Sequence, residues 1–68
     1  MANGVVKLWN DDRGFGFIKP DGGGADVFAH VRNLIGADSL REGDRVRFEA
    51  RPSSRHQGKL EAIAVALI

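Results

Sequence analysis

Flat aromatic side chains are the residues of this sequence that most clearly suggest a chemistry. Phe15 and Phe17 are separated by a single glycine, and Phe28 and His30 by a single alanine. Side chains at alternate positions of a β-strand lie on one face of the sheet. Each segment therefore predicts two rings side by side, and an exposed ring can stack against a planar group such as a nucleobase.

The choice between an exposed and a buried aromatic face depends on the residues between the rings. Val27 and Ala29 are small and apolar, and they alternate with Phe28 and His30, a polar ring that is uncommon in cores. The aromatic face of this segment is therefore predicted to be the outer one. The same alternation of inward and outward side chains places Ile18 inward and the neighbouring phenylalanines outward. Gly16, which has no side chain, would leave room for a base.

The segment around the single tryptophan offers the same alternation. Val6 and Leu8 share one parity, and Lys7 and Trp9 share the other. We therefore expect Leu8 to be buried and Trp9 to lie beside Lys7 on the aromatic face. Four rings, a histidine and a lysine on one face make a larger apolar patch than a monomer exposes without a function.

These residues require short strands to position them, and alternating segments bounded by Gly and Asp provide such strands. A single helical turn and a loop are predicted within residues 32–40. The final segment has apolar positions that also suit a helix, although a strand is favoured. The predicted strands are Gly4–Asn10, Phe15–Lys19, Asp26–Val31, Arg45–Ala50 and Lys59–Ile68. Together they predict one all-β domain over residues 1–68, a five-stranded antiparallel Greek-key barrel whose first three strands expose a binding surface.

Composition restricts the classes of function. Ten Lys and Arg residues against nine Asp and Glu residues leave a formal net charge of +1, so charge alone does not suggest nucleic acid. The absence of cysteine excludes disulfides and thiolate zinc sites and favours a cytoplasmic location. No apolar run is long enough to cross a membrane.

No residue pattern suggests catalysis or a cofactor. His30 and His56 are not accompanied by carboxylates at ligand spacing, so no metal site is expected. No pair of carboxylates lies in an apolar segment that would tune it for acid–base chemistry. We therefore expect neither an enzyme nor a small-molecule substrate, and no cofactor.

Several motifs together resemble one known family. The segments 9–10, 13–18 and 27–31 resemble the two ribonucleoprotein motifs of the bacterial cold-shock domain, and the resemblance extends to Gly4-x-Val6-Lys7, Glu42-Gly43-Asp44, Val46-x-Phe48 and Ala62-x-x-Val65. The family usually has Lys-Trp-Phe-Asn where this chain has Lys7-Leu8-Trp9-Asn10. Val31 stands where a further phenylalanine is common, and the loop around residues 36–38 lacks an aromatic residue. The resemblance implies an OB-fold that holds single-stranded RNA or DNA, as an RNA chaperone or a regulator.

The site predicted from these patterns has two parts. Bases stack on the planar side chains, and cations neutralise phosphates along the strand. The predicted contacts are Trp9, Phe15, Phe17, Phe28 and His30 for bases, Lys7, Arg13, Lys19 and Arg55 for phosphates, and Asn10 as a further nucleic-acid contact. Arg51 and Lys59 suit a solvated rim as well as a phosphate contact.

The alternative function is a protein-interaction barrel that docks a partner on the same aromatic patch, because Trp and Arg also anchor protein interfaces. The sequence does not distinguish RNA from DNA as the target. We expect a monomer, with a strand-swapped dimer as the other possibility.

Overall fold

The computed structural model describes residues 2–54 and 57–68, which form five strands and one short turn of 3-10 helix, η1. The elements are β1 (Ala2–Asn10), β2 (Phe15–Pro20), β3 (Val27–His30), η1 (Val31–Asn33), β4 (Arg45–Pro52) and β5 (Leu60–Leu67). The predicted single helical turn followed by a loop is therefore confirmed, with the turn beginning one residue earlier than expected.

The strands close into a barrel in the order β1-β2-β3-β5-β4, which confirms the predicted all-β, five-stranded architecture. Four of the five strand pairs are antiparallel, whereas β3 and β5 run parallel through Phe28 opposite Glu61 and Ala29 opposite Ala62. A closed ring with an odd number of strands cannot alternate in direction at every pair. The expectation of a purely antiparallel barrel is corrected at this one position.

The interior of the barrel is filled by one face of each strand. Phe48 is the largest fully buried side chain, and no buried polar or charged residue occurs in the described ranges. The core consists of Val6, Ile18, Val27, Ala29, Leu40, Val46, Phe48, Ala62 and Val65. The inward orientation predicted for Ile18, Val27 and Ala29 is confirmed. The side chains that alternate with them on β2 and β3 consequently face outward.

A β-bulge in β1 overturns the prediction for Leu8 and Trp9. Val6 pairs with Ile18, but Leu8 pairs with Phe17, so Lys7 is an extra residue in β1. One extra residue reverses the parity of every position that follows it. Leu8 therefore lies on the outer face with 46% of its surface exposed, and Trp9 is half-buried and packs against the core.

A second irregularity lies in β5 and explains its helix-like sequence. Arg47 pairs with Ala66 and Glu49 with Ile63, so two β5 residues, Ala64 and Val65, face the single β4 residue between them. Ala64 has a φ of 52°, in the left-handed region. Ala62 and Val65 are consequently both buried although they are three positions apart, a spacing typical of helices. The prediction of a strand is confirmed.

Candidate nucleic-acid interface

Five outward side chains on β1, β2 and β3 form a surface that we call the aromatic platform: Leu8, Phe15, Phe17, Phe28 and His30. The strand register arranges them in two rows. Leu8, Phe17 and Phe28 are successive partners in the first row, and Phe15 and His30 are partners in the second. The platform rings are only partly buried. They can therefore be reached by a ligand that lies across the three strands.

The phenylalanine rings of the platform contact one another. The centroids of Phe15 and Phe28 lie 5.6 Å apart with an interplanar angle of 29°, a stacked arrangement. Phe17 meets Phe28 edge-on, with centroids 5.9 Å apart and an angle of 73°. Offset-stacked and edge-on pairs are the favourable geometries for aromatic rings. The contacts hold the rings in place before any ligand binds.

The absence of a side chain at Gly16 makes room for β1, not for a base. This corrects the expectation that the glycine leaves space for a ligand. Gly16 shares the inward parity of Ile18 and lies opposite Trp9. A Cβ atom there would collide with the carbonyl oxygen of Leu8 and would lie 2.8 Å from Cε3 of Trp9. The missing side chain thus allows the bulged strand and the indole to pack closely. Trp9 donates a hydrogen bond from Nε1 to Oδ1 of Asp11 at 2.8 Å.

His30 is oriented by the start of η1. The backbone N–H of Arg32 donates a hydrogen bond to Nδ1 of His30 at 3.1 Å, so this nitrogen acts as an acceptor. In the neutral ring the proton is then carried by Nε2. The imidazole is held beside its strand partner Phe15 and adds a planar group with a polar edge to the platform.

The cations that the sequence predicts as phosphate contacts differ in their exposure and in their hydrogen-bond or ion-pair partners. Lys7 is paired with Asp26 through an Nζ–Oδ2 distance of 3.0 Å, although 61% of its side chain is exposed. Arg13 is exposed in the turn after β1, where its backbone N–H donates to Oδ1 of Asn10 at 3.2 Å. Lys19 is exposed on β2. Arg55, like His56, lies outside the described residues.

An open groove of about 910 Å³ continues the platform toward the loop between β4 and β5. Its lining residues are Phe15, Phe17, Ala25, Asp26, Phe28, His30, Ser53, Gly58, Lys59 and Leu60. Lys59 adds a cation to this wall, and Leu60, 41% exposed, adds an apolar side chain that the sequence patterns did not single out. Its only signal in the sequence was its position beside the polar loop.

Residues 2–54 and 57–68 contain no group of three or more His, Asp or Glu side chains placed to hold a metal ion. None of the helical structure within those ranges has the length and apolar character needed to span a membrane.

Comparison with known proteins identifies the family. The sequence model of the "'Cold-shock' DNA-binding domain" matches residues 2–68. The chain belongs to the cold-shock domain family. Nucleic-acid binding is the function of this family, and the resemblance noted in the sequence is confirmed.

The relatives of this cold-shock domain include several bacterial proteins. It is 55% identical over 51 residues to the "Cold shock-like protein CspA" of Stigmatella aurantiaca, covering 72% of this chain and 75% of the relative. It is 44% identical over 68 residues to the "Cold shock-like protein CspG" of Shewanella violacea, covering 97% and 94%. The solved structure "drosophila Unr CSD456" superposes with a TM-score of 0.77 at 20% identity, covering 98% of this chain and 26% of that one. At that identity the likeness concerns the fold alone.

The bulge in β1 shows how this cold-shock domain departs from the usual Lys-Trp-Phe-Asn pattern. Leu8 occupies the position of the usual tryptophan, and it lies outward opposite Phe17. Trp9 occupies the position of the usual phenylalanine, and it lies opposite Gly16 against the core. The first row of the platform therefore ends in an aliphatic side chain.

Proposed function

We propose that this cold-shock domain binds single-stranded RNA or DNA by stacking bases on the aromatic platform. The observation that carries the proposal is the position of Phe15 and Phe17, whose rings both contact the ring of Phe28 on the outer face of the sheet. The barrel has a separate and complete core that does not include them. The three rings are thus available for a ligand.

The platform sets the number of bases that stack. Three phenylalanine rings and His30 offer room for roughly four bases, and each stacked base contributes about 1–3 kcal/mol. Trp9, which faces the other side of β1, is not part of the stacking set that we propose. A duplex hides the faces of its bases, so this surface selects open strands.

Phosphates are held by the cations that border the platform. Arg13, Lys19 and Lys59 are exposed at different edges of it. Lys7 can exchange its contact with Asp26 for a phosphate at small cost, because an exposed ion pair contributes at most about 1 kcal/mol. Arg55 remains a predicted contact. Contacts with the phosphates of a nucleic acid do not distinguish one base sequence from another.

Selective binding of open strands gives the protein an RNA-chaperone activity without ATP. A ligand that binds only one state shifts the equilibrium toward that state by mass action. Structured RNA would therefore be held in its unfolded form. In this proposal the protein is a cytoplasmic monomer that acts by binding and has no catalytic role.

The test is the affinity of the pure protein for a fluorescein-labelled hexanucleotide, measured by anisotropy. Phe28→Ala should weaken binding by about 1–3 kcal/mol, which is roughly 5- to 150-fold. Leu67→Ala is the matched control, because Leu67 is an apolar residue that is 50% exposed and pairs with Val46 away from the platform. Its affinity should equal that of the unaltered protein.

The result that contradicts the proposal is binding that Phe28→Ala leaves unchanged. Failure of the unaltered protein to bind any single-stranded oligonucleotide would favour the alternative, a barrel that docks a protein partner on the same patch.

A further inference from the structure

The outer face of β4 carries a line of basic side chains outside the site described above. Arg45 and Arg47 alternate with the buried Val46 and Phe48, and Arg51 lies farther along the same strand. All three are exposed, so three of the ten Lys and Arg residues lie on one strand. At Arg45 and Arg47, β4 is paired on both sides, with β1 and with β5. These two arginines are therefore not protecting an open sheet edge from unwanted strand pairing. We call this line the basic strip.

Two of the three arginines already have carboxylate partners. Arg45 contacts Asp21 with both terminal nitrogens, at 3.0 and 2.8 Å. Arg51 lies 3.6 Å from Glu49. These pairs neutralise most of the charge at the two ends of the strip.

Arg47, between them, is the uncompensated charge. It makes no hydrogen bond or ion pair with any side chain in ranges 2–54 and 57–68. Its neighbours across the sheet are Asn3 on β1 and Ala66 on β5, and neither is charged. The guanidinium is thus free to meet a phosphate, for which its planar fork of donors is well suited.

The closed barrel connects the basic strip to the platform in two directions. On one side, Val5 pairs with both Lys19 and Arg45, so these cations lie two strands apart, about 10 Å at the usual strand spacing. On the other side, Glu61 pairs with both Phe28 and Arg51. A single-stranded nucleic acid that extends beyond the platform around either side of the barrel therefore reaches β4.

We propose that the basic strip is a second contact site, where Arg47 binds the phosphate backbone of a single strand that is longer than the platform covers. The inference rests on the proposed function, since it concerns the continuation of the same strand. Contact through phosphates adds affinity that depends on strand length and salt, and it adds no base preference.

The experiment compares Arg47→Ala with the unaltered protein on a hexanucleotide and on an oligonucleotide of fifteen nucleotides, by anisotropy at several salt concentrations. The comparison is made between proteins at each length, because a longer strand also offers more overlapping positions. Arg47→Ala should bind the hexanucleotide normally. It should bind the longer strand roughly two- to fivefold more weakly, with a salt slope shallower by about 0.7 for the lost phosphate contact.

Two control variants distinguish a specific phosphate contact at Arg47 from a general effect of the protein's net charge. Arg47→Lys keeps the cation and should bind the longer strand nearly as well as the unaltered protein. Ser39→Glu lowers the net charge by one in the exposed loop before β4, as Arg47→Ala does on the strand, and should leave both affinities nearly unchanged.

The proposal is overturned if Arg47→Ala binds the longer strand normally, if it weakens both lengths equally, or if Ser39→Glu has the same effect as Arg47→Ala. Failure of the proposed function gives a different result, because the unaltered protein would then fail to bind even the hexanucleotide.

Discussion

The ring of Phe28 lies between those of Phe15 and Phe17, stacked with one and edge-on to the other. Phe28 also lies next to Glu61 on the closing pair of the barrel. It is the platform ring whose removal disturbs the most neighbours. Loss of Phe28 should therefore weaken base stacking more than loss of either other ring, provided that the three rings bind as one surface.

Leu8 is the residue where an added ring should strengthen binding. It lies outward, 46% exposed, at the end of the row that contains Phe17 and Phe28. Leu8→Trp extends this row by one stacking surface and should tighten binding of a hexanucleotide by about 1–3 kcal/mol. The measurement is anisotropy with a labelled oligonucleotide.

The matched control for this variant is Leu67→Trp, which adds the same ring at an exposed position on β5. Its affinity should not change. Equal gains from both variants would mean that added tryptophan binds oligonucleotides without regard to position, and no gain at residue 8 would place the end of the platform elsewhere.

At the scale of the strands, parity in the sequence predicts the outer faces of β2 and β3 correctly and fails partway along β1. Ile18, Val27 and Ala29 are buried as expected because no residue is inserted among them. In β1 the extra residue Lys7 reverses the pattern from Leu8 onward. Local alternation contains no signal for a bulge, since a bulge depends on which partner residue the strand meets.

The site is predictable from the sequence to a similar extent. Phe15, Phe17, Phe28 and His30 are brought together by the register of two adjacent strands, which a hairpin of alternating residues implies. The groove wall at Lys59 and Leu60 depends on how the barrel closes and has no local sequence signal. The same is true of the route from the platform to β4.

Ala64 in β5 offers a test of the second bulge. Its φ of 52° lies in the left-handed region, which costs an alanine about 1–2 kcal/mol and costs glycine almost nothing. Glycine also lowers the free energy of the unfolded chain by about 0.4–1 kcal/mol, because it increases the conformational entropy of that chain. Ala64→Gly should therefore stabilise the fold by about 0.5–1 kcal/mol, which thermal unfolding would show as a Tm higher by about 2–8 °C.

Ala50→Gly is the control for this prediction, because Ala50 lies in β4 and is not among the described residues with positive φ. That change should lower stability by about 0.5–1 kcal/mol. A Tm that falls equally in both variants would show that residue 64 is not strained in the folded protein.

At the scale of the whole molecule, the small net charge predicts that affinity depends weakly on salt. Each phosphate neutralised by a single-strand binder contributes about −0.7 to the slope of log affinity against log salt concentration. A formal charge of +1 and the Lys7–Asp26 pair leave few free cations beside the platform. For a hexanucleotide the slope should lie between about −1 and −3.

Titrations at several salt concentrations measure this slope. We expect stacking to supply most of the affinity, so binding should persist at salt concentrations that release a charge-driven binder. A slope steeper than about −5 would show that contacts with phosphates dominate, which disagrees with a platform that binds bases.

The most direct test of base stacking on the platform is an NMR titration of the aromatic side chains with an unlabelled hexanucleotide. Stacked bases shift the ring-proton resonances of the residues they cover. Base stacking should give large upfield shifts for Phe15, Phe17 and Phe28, and no significant shift for Phe48, which is fully buried and serves as the internal control. Saturable binding that leaves the three platform rings unshifted would contradict base stacking on the platform.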